Sequence, residues 1–227
     1  MRVAVLATGG KDSTLALHRV LNEDYEVKYL VSMIPLRKDS WMYHHPNIHL
    51  VNQFADAVEI PLITAETSGI KEKEVEDLKS LIGKLDIEGV VSGAIASTYQ
   101  KTRIEKVCRQ FGLKSLMPLW HENEYDILNE ILNLKFEVII TGVYAYGFNK
   151  EWLGRKIDGK TVEALMELNR KYRVSLVGEG GEYETLVLDA PFFKKKIKIV
   201  RAEKVWEDQS GYYMITEAKL ESKQSIS

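Results

Sequence analysis

The apolar run Val3–Ala7 leads straight into Thr8-Gly9-Gly10-Lys11-Asp12-Ser13. This junction reads as a strand, a glycine turn and a helix start, a unit that commits the amino-terminal part of the chain to an α/β fold. Adjacent glycines let the backbone approach a ligand closely, with φ values that other residues resist. The N–H groups of the turn and of the first helical turn converge on one spot and favour an anion there. Lys11 adds a positive charge, while Thr8 and Ser13 add hydroxyl donors. Asp12 repels phosphate by itself, so its presence points to a bridging Mg²⁺ or to a capping role. Thr8, Gly9, Gly10, Lys11, Asp12 and Ser13 together read as a phosphate cradle. A G-x-x-x-x-G-K-[ST] loop is excluded, because Val5 and Asp12 stand where it needs glycine and a hydroxyl residue. The dinucleotide pattern G-x-G-x-x-G is absent from this turn as well.

Downstream, strand and helix signals alternate. Arg2–Ala7, Tyr25–Ser32, Pro61–Ala65, Val90–Ser92, Lys114–Leu116 and Glu137–Thr141 are expected strands. A helix with Leu17, Val20 and Leu21 on its apolar stripe is expected after the cradle, with others over Ile48–Val58 and Lys71–Leu85. Another is expected around Cys108, which shares a face with Ile104, Val107 and Phe111 by the i, i+3, i+4, i+7 spacing. This order predicts a Rossmann-like parallel sheet with helices on both faces and right-handed crossovers. Ligands gather beyond the carboxyl ends of such strands, so Thr8–Lys11, Met33–Lys38 and Gly93–Ala96 are expected on one edge. Met33 is the candidate for the adenine contact. From about Ala145 the pattern changes. A helix near Thr161–Tyr172 precedes two alternating stretches, Ile197–Trp206 and Tyr212–Leu220, that read as a hairpin. Two units are expected: residues 1–144, binding nucleotide, and residues 145–227, a smaller α+β unit on the substrate side.

Three further groups could carry chemistry. Gly178-Glu179-Gly180-Gly181-Glu182-Tyr183-Glu184-Thr185 concentrates glycines and carboxylates and cannot form a stable helix. Like charges this close need a cation among them: a metal, an ammonium, or a quaternary ammonium against the Tyr183 ring. A solvated acidic turn before Leu186–Leu188 accounts for the composition equally well. In Ser97-Thr98-Tyr99-Gln100-Lys101-Thr102-Arg103, Ser97 and Gln100 form a capping box. Gln100 and Arg103 lie one turn apart at the ligand edge, and the planar fork of Arg103 suits a carboxylate or phosphate. His44 and His45 fall in a loop within reach of the site. His18, His49 and His121 are isolated, and none has the spacing of a zinc ligand.

The composition narrows the options. A net charge of −2 over 227 residues gives no electrostatic reason to bind nucleic acid stably. Lys194-Lys195-Lys196 with Lys198 reads as a solvated strand end. No apolar run reaches a membrane span, so a cytoplasmic protein is expected. The single cysteine, Cys108, allows no disulfide and no cysteine-pair sulfur transfer within one chain.

The cradle resembles the S-G-G-x-D-S loop of the N-type ATP pyrophosphatases, with Thr8 keeping the hydroxyl of the usual serine. The chain as a whole resembles the diphthine–ammonia ligase (diphthamide synthase) family, especially its archaeal single-module form. The likeness runs through Thr8–Ser13, Gly93-Ala94-Ile95, Ser97, Tyr99-Gln100, Arg103, Pro118-Leu119-Trp120 and Gly178–Thr185. It implies an adenine nucleotide alpha hydrolase-like fold and an amidation. A carboxylate on a modified histidine (diphthine) of translation elongation factor 2 attacks the α-phosphate of ATP. Pyrophosphate leaves, and ammonia, supplied as ammonium, then displaces AMP. ATP and Mg²⁺ are the implied cofactors, with Asp12 as the metal-binding residue and Gly93 among the nucleotide contacts. Lys11, Arg103, Glu182 and Glu184 are the implied catalytic residues. Ser97, Tyr99, Gln100, Arg103, Gly180, Gly181, Glu182, Tyr183 and Glu184 are implied on the substrate side. A homodimer is the expected assembly. Two rivals remain at this stage: a tRNA-modifying adenylating enzyme of the same superfamily, and an ATP-binding regulator without chemistry.

Overall fold

Alternation within the first strand dictates the layers. In the computed structural model, which describes residues 1–35, 47–68 and 73–223, Val3, Val5 and Ala7 face one way and Ala4 the other. Five parallel strands form the first sheet: β1 (Arg2–Leu6), β2 (Glu26–Pro35), β3 (Leu62–Thr67), β4 (Gly89–Val91) and β5 (Lys114–Leu116). Their order is β3-β2-β1-β4-β5, so the chain reverses direction of travel on either side of β1. Helices α1 (Lys11–Leu21) and α2 (Val51–Val58) pack on the Val3/Val5 face. Helices α3 (Lys73–Ile82) and α4 (Thr98–Gln110) pack on the Ala4 face. Each large aliphatic side chain buried here contributes about 1.5–3 kcal/mol.

The expected helical stripes hold with local exceptions. Leu15, Leu17 and Val20 of α1 are buried, whereas Leu21 is 38% exposed at the helix end. Ile104, Val107 and Cys108 of α4 are buried, and burial pushes the Cys108 thiol up to about 11. Phe111 lies past the end of α4 as its C-cap residue and is 41% exposed. Helix α3 begins at Lys73; the start expected at Lys71, like His44 and His45, lies outside the described residues. Ile48–Leu50 forms a 3₁₀ turn ahead of α2 rather than part of the helix.

A larger departure concerns the strand expected at Glu137–Thr141. It is β6 (Glu137–Val143), and it does not join the parallel sheet. It pairs antiparallel with β7 (Tyr183–Asp189) and β9 (Ser210–Ser222), and β9 pairs with β8 (Lys195–Glu207). The second sheet therefore runs β7-β6-β9-β8. The boundary expected after residue 144 falls just beyond β6, between this strand and its partners. A run such as Val-Ile-Ile reads as a buried strand in either kind of sheet, and periodicity does not choose between them. Helix α5 (Glu124–Asn133), absent from the sequence reading, supplies Ile127, Leu128 and Ile131 to the core; Asn123 caps it by accepting from Tyr125 and Asp126 N–H. Helix α6 (Gly159–Tyr172) and the β8–β9 hairpin stand close to where the sequence places them.

One core joins the two sheets. It contains β1, α1, α2 and α5 together with Ile140, Leu186 and Val187 of the second sheet. Polar groups add to the junction: Asn47 donates to Tyr213 O and accepts from Ile215 N–H, and Gln53 donates to Ala218 O. Among the described residues no helix is long and apolar enough to cross a membrane.

Candidate functional site

The cradle forms where β1 ends. Gly9 has φ +81, in the left-handed region, and Gly10 is the N-cap of α1 with no side-chain capping bond. Thr8 Oγ1 accepts from Gly10 N–H at 3.4 Å; Ser13 Oγ accepts from Thr8 N–H at 3.4 Å and donates to Gly10 O at 3.1 Å. The second sheet closes the back of the turn: Val187 N–H donates to Gly9 O at 2.8 Å, and Lys11 N–H donates to Thr185 Oγ1 at 3.1 Å. Gly93, after β4, touches the same turn. A Cβ there would stand 2.6 Å from the backbone of Asp12 and Ser13, so only glycine allows this approach.

The Lys11 side chain is already engaged by the fold itself. It is 2% exposed, and its ammonium donates to Asp12 Oδ2 at 2.9 Å and to the Val177 carbonyl, with the Tyr183 ring 5.1 Å away. Burial alone would lower its pKa; Asp12 foremost among its neighbours outweighs that, so the group is held above the usual lysine value and stays charged. The ring of Tyr183 is 3% exposed, its hydroxyl donates to Leu176 O at 2.6 Å, and the cation beside it is Lys11. The organic cation expected against Tyr183 thus has a competitor built into the fold.

The acidic glycine segment resolves most of its own repulsion. Glu179 Oε1 accepts from the N–H groups of Ile95, Ala96 and Ser97 at 3.2, 2.8 and 2.7 Å. Glu182 accepts from Ser175 N–H at 3.0 Å and from Gly180 N–H at 2.8 Å. Hydrogen bonds to a charged group contribute about 1.5–3 kcal/mol each. Two unit charges 4 Å apart in water repel by only about 1 kcal/mol. The amides win, and the loop is held as an ordered wall. Glu184 is half-buried and lines the cavity beside Tyr144, whose hydroxyl is pushed up by burial and then by Glu184.

Ser97 caps α4 by accepting from Gln100 N–H at 3.3 Å, half of the expected capping box. The Arg103 guanidinium lies 3.5 Å over the Tyr99 ring and donates to Tyr99 O at 3.4 Å. Two helix starts therefore face one cavity. Glu179 already fills the start of α4 with a carboxylate, whereas the start of α1 has no capping bond from its own N-cap residue and meets only the neutral hydroxyls of Thr8 and Thr185. An incoming phosphate belongs at α1.

The cavity, about 540 Å³, gathers Thr8, Gly10, Lys11, Asp12, Ser13, Met33, Gly93, Ser97, Tyr99, Gln100, Gly180, Gly181, Tyr183 and Glu184. Gly9, Arg103 and Glu182 stand outside its lining. Sequence reasoning missed Tyr144, Ser32 and Ser92, which also line it. The two serines are 2% and 4% exposed, with hydroxyls that meet no hydrogen-bond partner among the described residues. Their signal was position: both lie at or near carboxyl ends of strands. Tyr144 carried the same signal, directly beyond the carboxyl end of β6, and was passed over. His18 packs between Phe136 and Phe192, and His49 bonds to Ile215 O, so neither reaches the cavity. Trp120 is half-buried beneath the Lys101 ammonium, 4.4 Å from its ring. Among the described residues no group of three or more His, Cys, Asp or Glu side chains could hold a metal ion. A Mg²⁺ that takes one or two carboxylates and completes its shell with phosphates and water needs no such group, and Asp12, whose Oδ2 accepts from Lys11, is the carboxylate within the cradle.

Two family models match the chain: Diphthamide synthase N-terminal domain over residues 1–115, and Diphthamide synthase C-terminal domain over residues 123–220. A Rattus norvegicus protein named diphthine–ammonia ligase is 36% identical over 242 residues, covering 97% of this chain and 91% of the relative. The Homo sapiens protein of the same name is 36% identical over 228 residues, covering 90% of this chain and 85% of the relative. A crystal structure described as a predicted subunit of tRNA methyltransferase, from Methanocaldococcus jannaschii, covers 84% of this chain and 98% of its own at 15% identity and TM-score 0.46.

Proposed function

The chain belongs to the diphthamide synthase family, and we propose that its cavity performs ATP-dependent amidation of diphthine to diphthamide, forming a C–N bond with ammonium as nitrogen source. The observation that carries this reading is the meeting, in one cavity, of a helix start that holds no anion of its own and the carboxylate of Glu184 beside Tyr144.

The triphosphate rests on the N–H groups at the start of α1, with the Thr8 and Ser13 hydroxyls beside it. Met33 and Val31, both buried at the end of β2, offer the adenine an apolar edge. Asp12 would hold a Mg²⁺, which when bound would supply positive charge against that building up on the departing pyrophosphate. Gln100, which lines the cavity, orients the substrate carboxylate towards the α-phosphorus, and Arg103, outside the lining, braces the neighbouring Tyr99 ring. A carboxylate oxygen bonds to that phosphorus as the bond to pyrophosphate breaks, leaving an acyl-adenylate. Ammonia then adds to the acyl carbon and AMP departs with the bridging oxygen. Ammonium must lose a proton before it attacks, and Glu184 is the group placed to accept it. Glu182, with both oxygens engaged by backbone amides, shapes the loop instead. The quaternary ammonium of diphthine faces Tyr144 and Glu184 rather than the buried ring of Tyr183. The partner is translation elongation factor 2 bearing diphthine.

The test is incubation with that factor, ATP, Mg²⁺ and ammonium. One AMP per carboxylate converted to amide is the expected result. ADP as product would overturn the reading.

A further inference from the structure

Glu179 has no part in the scheme above, yet its side chain makes the most concentrated set of contacts at the site. One oxygen takes the N–H groups of Ile95, Ala96 and Ser97, all within 3.2 Å. Three amides converging at a helix start form the kind of nest that takes a phosphate or carboxylate. Here the chain's own carboxylate fills it. The same loop is also fastened two residues earlier, where the Val177 carbonyl accepts from the buried ammonium of Lys11. The loop is thus tied to the start of α1 through Val177 and to the start of α4 through Glu179. Beyond these ties lie Gly180 and Glu184, which line the cavity.

We propose that Glu179 is a positioning residue that clasps the acidic loop to α4 and so holds the protein-substrate half of the cavity in shape and closed to water. The inference rests on the reading of this cavity as a site for ATP and a protein-borne carboxylate. The position of the clasp sets its consequences. Glu179 acts on the roof, not on the cradle, whose hydrogen bonds come from Thr8, Ser13, Thr185 and Val187. Without the clasp the loop loses its hold on α4. The diphthine side chain then binds less well, and water competes with ammonia for the acyl-adenylate. Attack by water returns the carboxylate and releases AMP, so ATP is spent without amide. A glutamine at this position keeps an oxygen that accepts the same N–H groups, though without the charge that strengthens each bond.

Wild type, Glu179→Ala and Glu179→Gln are compared with diphthine-bearing elongation factor, ATP, Mg²⁺ and ammonium. For Glu179→Ala the expected result is a KM for the protein substrate raised about tenfold, and an AMP-to-amide ratio above that of wild type. Its affinity for a nonhydrolysable ATP analogue stays within about twofold of wild type. Glu179→Gln recovers most of both losses, and it carries the comparison with wild type if the alanine variant does not fold. An unchanged KM and ratio in Glu179→Ala, a loss of ATP affinity alongside the rise in KM, or a glutamine variant no better than alanine would each overturn the clasp. Failure of wild type to release AMP would instead overturn the reading of the cavity, and the clasp with it.

Discussion

Glu184 has a task available to it that Glu179 and Glu182 lack. Glu179 Oε1 and both oxygens of Glu182 accept from backbone amides, and Glu184 lines the cavity beside Tyr144. General-base catalysis contributes typically about 10²–10⁴-fold to a rate. Glu184→Gln is therefore expected to lower kcat for amidation by at least about 100-fold while ATP affinity changes little, read by amide formation and by calorimetric titration with an ATP analogue. An equal loss at Glu182→Gln but not at Glu184→Gln would reverse the assignment. At this scale the cradle was legible, because glycines and hydroxyls beside a strand end act through local backbone geometry. The orientation of Lys11 was not, since its decisive partner, the Val177 carbonyl, lies 166 positions away. The amide partners of Glu182 were not legible either: a carboxylate engaged by amides looks, in sequence, like one awaiting a cation.

Among the elements, the approach of the β4–α4 connection to the start of α1 sets the width of the cavity where the nucleotide is proposed to bind. Gly93 is the point of contact, and a Cβ there would sit 2.6 Å from backbone that cannot swing aside. Overpacking of this kind costs about 1–3 kcal/mol. Gly93→Ala is expected to lower the melting temperature and weaken ATP binding together, because relief of the clash moves the first turn of α1. A variant with unchanged ATP affinity would show that the cradle tolerates the shift. Helices α1 to α4 and the β8–β9 hairpin were legible from apolar spacing and turn residues. The sheet that β6 joins was not, because its partners β7 and β9 come from the last 45 residues described, and strand pairing at that range leaves no local mark. Helix α5 carried a readable signal in Asn123 followed by Ile127, Leu128 and Ile131, which sequence inspection passed over.

For the molecule as a whole, the two sheets share one core and one cavity, so the proposed nucleotide site draws on both. Val187 closes the back of the Gly9 turn, Thr185 receives Lys11 N–H, and Leu186 sits 3.2 Å from where a Gly9 Cβ would be. A fragment of residues 1–144 would carry β6 without its partners and leave Phe54 without Phe193, its edge-to-face neighbour at 5.4 Å. Such a fragment is expected to unfold at lower denaturant concentration, or without a cooperative transition, and to lose ATP binding. Cooperative unfolding with full ATP affinity would contradict a shared core. The amino-terminal unit was recognisable from its alternation of strands and helices. The dependence of its site on the second sheet arises only in three dimensions.

The central claim is that a protein-borne carboxylate attacks the α-phosphorus of ATP seated at the start of α1. Oxygen-18 in the diphthine carboxylate tests it most directly, with mass spectrometry of both nucleotide products. The account predicts one labelled oxygen in each AMP released and none in pyrophosphate. Unlabelled AMP alongside amide, or label in a phosphate split from the far end of ATP, would contradict it.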